Sequence, residues 1–454
     1  MIRKLFLISI MIIVLATGCQ PSNAPVPVAK GASSQVKSLA TTAAPQVIPT
    51  QTAVKVTSAP AASATPQPSQ TPNAQQLISQ NASPTPADIS APSGNSNTAL
   101  VSGPVGPDSF PAGVNPLTGL PVADPTSLQL PPALVSITNF PPTARPQAGL
   151  SYSSVVYELY IGEGMTRFLA VFYGDYPPKN SPVGKSANTA VGPIRSGRLP
   201  YEKLRLLYSG FLVMASGYES VLKKLDEFTN IFGSDKNDIN SAMVDVAKLE
   251  QIAANSGWKI KEDYLTGQSY DPAAQPNGVP GKQIWIPFSY LDQVLWRYDP
   301  ASGAYHRYQD KADGINFVQA TDRINGEPLT YENIVILFVD HHAQNEQVID
   351  LDFMYITKMP ALLFRDGQMY PVFWTTRNSE YEKKTGRIRP IRFIDSQGNS
   401  FPLKPGQTWI ELVPRDTPYS ETVDSQVYFD LMTKKQPGSG NWAIYFYPPP
   451  VEEE

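Results

Sequence analysis

The stretch Ser154-Val-Val-Tyr-Glu-Leu-Tyr-Ile-Gly-Glu-Gly-Met-Thr-Arg-Phe-Leu-Ala-Val-Phe-Tyr173 decides the fold. Two runs rich in β-branched and aromatic residues flank Gly162-Glu163-Gly164. This predicts a hairpin of buried strands over 154–161 and 165–173. Register then decides what the charges do. With Glu163-Gly164 as a two-residue turn, Tyr160 faces Arg167, and Glu158 lies diagonal to Arg167 on the same sheet face. With all of 162–164 in the turn, Leu159 faces Arg167 and Glu158 points to the other side. The two registers are open at this level.

Working outward, Ala133–Thr138 reads as a buried strand. Leu199–Tyr208 and Ser216–Phe228 read as helices, with Leu204, Leu207, Val221, Leu222 and Leu225 on the inward face. Ser241–Ala254 predicts another helix that stops near Gly257. The Pro/Gly-rich stretch Asp271–Gly281 marks a boundary. Beyond it the chain is mostly strand-like. Trp296–Tyr308 has two aromatic runs around a turn, and Asn333–Asp340 is a buried strand. Residues 361–364 and 369–374 flank an Asp366-Gly367 turn. Residues 391–394 and 408–413 complete a meander. The expected class is α+β. A mixed α/β domain over 110–270 is followed by a linker at 271–282 and a mainly antiparallel β domain over 283–448. About 340 residues is more than one hydrophobic core usually serves.

Composition changes abruptly before Phe110. From Gln20 to Ser109 there is no Phe, Trp or Tyr, and the only charges are Lys30, Lys37, Lys55, Asp88 and Asp108. Such a Pro/Ser/Thr/Ala-rich stretch buries too little apolar surface to offset its ordering entropy, so 20–109 is expected to be a disordered tether. As a flexible coil it would span roughly 50 Å. Ahead of it, Arg3 and Lys4 precede an apolar run, Leu5–Leu15, and then Ala16-Thr17-Gly18-Cys19. That is the layout of a secretory signal over 1–19. The apolar run is too short to span a bilayer, which takes about 20 residues. Ordinary secretion and an uncleaved anchor are the alternatives to lipidation at Cys19, and all three export the chain.

Cys19 is the single cysteine. No disulfide can form within the chain, and no thiolate metal site or second thiol is possible. The formal charge of −4 carries no footprint of nucleic-acid binding. No cofactor is expected.

The densest polar constellation is Asn139, Arg145, Glu158, Glu163, Arg167, Arg195 and Arg198, each near a glycine, a proline or a strand end. Arginine forks suit carboxylate or phosphate, and Val191–Arg198 resembles an anion-binding loop entering a helix. Glu158 and Glu163 are candidate catalytic carboxyls for glycan cleavage, which needs two of them roughly 5–9.5 Å apart. A structural ion pair between Glu158 and Arg167 is the plainer alternative. Asp340, His341 and His342 are weak metal candidates, because adjacent strand residues point to opposite faces. Lys383, Lys384, Arg387, Arg389 and Arg392 form a basic patch, read either as a solvated hairpin or as a contact for anionic lipid or wall polymer.

Several segments recur in order: Asn115-Pro-Leu-Thr-Gly-Leu-Pro121, Ala144–Leu150, Tyr157-Glu158 with Glu163–Phe168, and Val191–Arg198. The second half adds Trp296–Asp299, Phe338–His341, Phe364–Gly367 and Pro405–Ile410. Together, over about 112–414, they resemble the YerB-type bacterial lipoproteins, with paired N- and C-terminal domains of unknown function. One departure is Thr138, where that family more often has an acidic residue. The resemblance implies an extracytoplasmic protein anchored to the cell membrane by lipid (diacyl and palmitate-type) on Cys19. The expected role is binding or scaffolding at the envelope through an Arg/Glu-lined pocket, with a cell-wall polymer or envelope protein as partner. The alternative is a glycan-cleaving enzyme with Glu158 or Glu163 as general acid.

Overall fold

Strand pairing, rather than helix packing, organises the chain. The computed structural model describes residues 103–180, 189–430 and 434–452. Cys19, the signal segment and the tether up to 102 lie outside the described residues. Among the described residues no helix is long and apolar enough to cross a membrane.

The first half supplies β1 (Ala133–Thr138), β2 (Val155–Gly162), β3 (Met165–Phe172), α1 (Pro200–Tyr208), β4 (Phe211–Met214), β5 (Phe228–Asn230) and α2 (Val246–Asn255). The second half supplies β6 (Gln283–Ser289), β7 (Asp292–Asp299), β8 (Ala304–Asp310), β9 (Asn333–Val339), β10 (His341–Asn345) and β11 (Val348–Leu351). It continues with β12 (Met359–Arg365), β13 (Gln368–Thr375), β14 (Arg392–Ile394), β15 (Thr408–Pro414) and β16 (Asn441–Ile444).

Ten of these strands form one sheet in the order β14-β13-β12-β9-β15-β2-β3-β1-β4-β5, with Val279–Pro280 on β13. A second sheet runs Phe317–Gln319, β8, β7, β6, β16, Tyr419–Glu421, and Thr330–Tyr331 pairs with β8. The large sheet joins the two halves of the chain, because β15 lies parallel between β2 and β9. Residues 271–282, expected as a linker, thus put a short strand on the edge of that sheet. The second half is mainly antiparallel, with β9–β15 and β6–β16 as its parallel pairs among the described residues.

The chain is mostly strand, with few helices. The helix expected over Ser216–Phe228 shrinks to Glu219–Leu222. Ser216 and Glu227 take positive φ, and Phe228–Asn230 is claimed by parallel pairing with β4. The tertiary ladder overrides local propensity there. The helix expected from Ser241 starts at Val246, because Val244 pairs with Val191. Residues 103–109, expected as the last of the tether, are seated on the body. Val105 is buried and bridges Tyr270, and the Asp108 carboxylate pairs with Arg389.

The two sheets face each other across an aromatic cluster. Trp296 and Tyr331 meet Trp409 edge to face, and Phe168 does the same. The opposite face of the large sheet carries α1, where the Tyr157 and Tyr208 hydroxyls hydrogen-bond at 2.5 Å.

Candidate functional site

The hairpin register separates the predicted site into two clusters on opposite faces. Glu163-Gly164 forms the turn, and a bulge between Tyr160 and Gly162 puts Leu159 opposite Arg167. Because side chains alternate along a strand, Glu158 and Thr166 face the second sheet, while Tyr157 and Arg167 face α1. The diagonal Glu158–Arg167 pairing of the two-residue register is not formed.

Glu158 instead meets Arg307, 149 residues away, at 2.6 Å. The two side chains are 0 and 1 % exposed. The other Glu158 oxygen accepts from the Thr166 hydroxyl at 2.7 Å and from Asn139 Nδ2 at 3.3 Å. Asn139 and Thr166 also donate to Asp292, with the Thr166 amide at 2.7 Å. Arg145 lies 3.9 Å from Asp292 and 3.6 Å from Asp310, and donates to the Asn139 and Asp310 carbonyls. On β15, Glu411 sits beside Glu158 in register and accepts from Trp296 Nε1 at 2.9 Å. The Arg307 guanidinium lies over Trp409, 4.7 Å from the ring centroid.

Four buried carboxyls therefore share two guanidiniums. Burial, and then the charge of Glu158, pushes Asp292 up to about 7. The same two causes hold Glu411 far above the ordinary carboxyl range. A carboxyl kept neutral this way has a proton to donate, and Glu411, beside Glu158 in register, has its Oε2 buried without another partner. Arg307, Asp292, Asp310 and Glu411 were missed from the sequence. The one signal for Glu411 was a charge inside the apolar run Thr408–Val413, the same oddity that marks Glu158.

The second cluster sits on the α1 face. Arg167 leaves β3 opposite Thr138, at the carboxyl end of β1. Arg195 and Arg198 come from the loop that enters α1. That loop is held by Arg195 N–H to the Ser136 carbonyl, Gly197 N–H to the Ser216 carbonyl and Ala215 N–H to the Arg195 carbonyl. It therefore lies over the carboxyl ends of β1 and β4, which are parallel to each other and to β5. Arg167 donates to the Ser196 carbonyl at 3.2 Å and Arg198 to the Gly197 carbonyl at 2.9 Å. Arg195 donates to the Ile239 carbonyl at 2.6 Å and to Asn240 Oδ1 at 2.8 Å.

Among the described residues no carboxylate lies within 4 Å of these three guanidiniums. Asp238 acts on Arg195 only through its field. Among the described residues the buried Nε atoms of Arg167 and Arg198 have no hydrogen-bond acceptor. Burial, and then the charge of Arg198, lowers Arg167 to about 9. Burial also lowers Arg195 and Arg198.

The remaining candidates are dispersed. Glu163 is exposed at the hairpin tip and accepts from Gln347. Asp340 pairs with Arg415. His341 is bonded to the Val339 carbonyl, and burial lowers it to about 4. His342 turns the other way and lies between Asp352 at 2.9 Å and Glu452 at 2.8 Å, which raise its pKa. Among the described residues no group of three or more His, Cys, Asp and Glu side chains could hold a metal ion. The basic patch is tied into the body. Lys383 and Lys384 pair with Glu380 and Asp263, Arg387 lies over Tyr264, and Arg389 bonds Thr266 and Asp108.

Comparison with known proteins agrees with this architecture. Residues 117–257 match the family described as protein of unknown function (DUF3048), N-terminal domain, and residues 284–410 match its C-terminal domain. The chain is 27% identical over 317 residues to "Putative lipoprotein YerB" of Bacillus subtilis (strain 168), covering 66% of this chain and 86% of that protein. The crystal structure of YerB protein from Bacillus subtilis superposes with a TM-score of 0.51 at 25% identity. The match covers 66% of this chain and 96% of that one.

Proposed function

Because this chain belongs to the DUF3048 family, carrying its N- and C-terminal domains in order, we propose that it is a membrane-anchored extracytoplasmic lipoprotein that binds or scaffolds at the cell envelope. Lipid on Cys19 is the anchor and 20–102 the tether. The Arg167, Arg195 and Arg198 cluster is the binding site, and its ligand is an anionic envelope component. The name of the relative and the Ala16-Thr17-Gly18-Cys19 signal support the anchor.

One observation carries the binding site: three partly or fully buried guanidiniums gathered without a carboxylate partner. Buried charge is costly unless it is paired. An anion arriving from outside supplies what the fold withholds. Glu158 and Glu163 stand apart from this site, on the opposite face and at the hairpin tip. No observation favours glycan cleavage by either.

The test is co-sedimentation of the purified full chain with isolated cell-wall material. Wild-type protein is expected to sediment with it, and the double variant Arg167→Gln/Arg198→Gln to stay in solution. Wild-type protein that remains in solution would remove the reading.

A further inference from the structure

We infer that the group taken by the Arg167–Arg195–Arg198 cluster is a phosphoryl group, a phosphate monoester or diester, rather than a carboxylate. This rests on the reading of the cluster as a ligand site. Charge is the first argument. A single carboxylate answers one guanidinium fork and leaves two buried cations unmatched. A phosphate monoester carries up to two charges, a diester one like a carboxylate, and both hold their oxygens in a tetrahedral rather than planar array, so forks from different directions each find an acceptor.

Donor geometry is the second argument. Arg167 projects from β3, whereas Arg195 and Arg198 project from the loop before α1. The Nε atoms of Arg167 and Arg198 are buried and lack acceptors among the described residues, and arginine has only donors to offer. Position is the third. The loop stands at the carboxyl ends of the parallel strands β1 and β4, where open sheets bind ligands. The Tyr201 hydroxyl, bonded to Ser136 at 3.2 Å, is the neighbouring neutral group.

The experiment is calorimetric titration of the full chain with inorganic phosphate, glycerol 3-phosphate and acetate, and flotation with phosphatidylglycerol vesicles. Phosphate and glycerol 3-phosphate are expected to bind and acetate not to. Arg198→Gln and Arg167→Gln are each expected to weaken binding by about tenfold or more, the scale of one charge-assisted pair. Far-ultraviolet dichroism of both variants controls for folding. If vesicles bind Cys19→Ser protein, which lacks the lipid anchor, and do not bind it once Arg167→Gln or Arg198→Gln is added, while soluble esters do not bind, the phosphoryl group is that of a lipid headgroup; if soluble esters bind, it is free or polymer-borne. Either source supports the inference. Acetate binding as tightly as phosphate, and lost in the variants, overturns the phosphoryl assignment while leaving the anion site standing. Binding of none of these probes overturns both, as does phosphate binding that neither substitution changes.

Discussion

At the residue scale, Glu158 and Arg307 close the interface between the two sheets. Glu158→Gln leaves Arg307 buried without its charge partner, and removing one member of such a pair typically costs about 3–5 kcal/mol. Urea denaturation should show that loss. Glu411→Gln is the contrasting change. It keeps a donor towards Glu158 and an acceptor for Trp296, so stability near neutral pH should hold or rise. The pH dependence follows from the same residue. Its folded pKa is raised, so above the ordinary glutamate range the native state holds a proton that the unfolded chain releases. Wild type should therefore lose stability relative to Glu411→Gln as pH climbs from about 4.3. Parallel denaturation curves at pH 4, 6 and 8 check the sign, and a widening advantage for wild type would contradict it. Asp292, raised to about 7, acts in the same direction. His341, lowered to about 4, acts against it in both proteins and cancels in the comparison.

At the element scale, the β2–β3 hairpin assigns every charge to a face. Its turn and bulge require Gly162, which has φ near 98° and sits where a Cβ would run into the Glu346 carbonyl of the β10–β11 loop. Gly162→Ala should cost about 1–3 kcal/mol through backbone strain, before that clash is added. Equilibrium denaturation measures it. The strands themselves were legible: Ala133–Thr138 and the two runs of the hairpin are apolar enough to announce burial. The register was not, because it turns on one bulged residue, Ile161. Nor was the partner of Glu158, since a contact 149 residues away leaves no local pattern. The Ser216–Phe228 helix failed for a similar reason, its last residue, Phe228, being taken into β5 by a neighbour it does not adjoin in sequence. The Arg195/Arg198 loop could be read from its glycines and proline, but the absence of carboxylates around it could not.

At the scale of the whole molecule, β15 of the second half lies between β2 and β9, so the halves share one ladder. The described body should unfold in a single calorimetric transition, whereas two separated transitions would mean that 110–270 and 283–448 are independent. The anchor is checked apart from the body. Cys19→Ser should abolish incorporation of labelled palmitate and release the chain from the membrane fraction, and persistent membrane association would count against lipidation as the anchor.

The central claim is that Arg167 and its neighbours carry charge meant for a ligand, not for the fold. The direct measurement is the stability of the full chain and of Arg167→Gln, each with and without added phosphate. Without phosphate the variant should be at least as stable as wild type, because a buried unpaired cation has been removed. With phosphate, wild type should gain stability by mass action and the variant should not. A variant that is weaker under both conditions, beside a wild type indifferent to phosphate, would make Arg167 a structural residue and contradict the account.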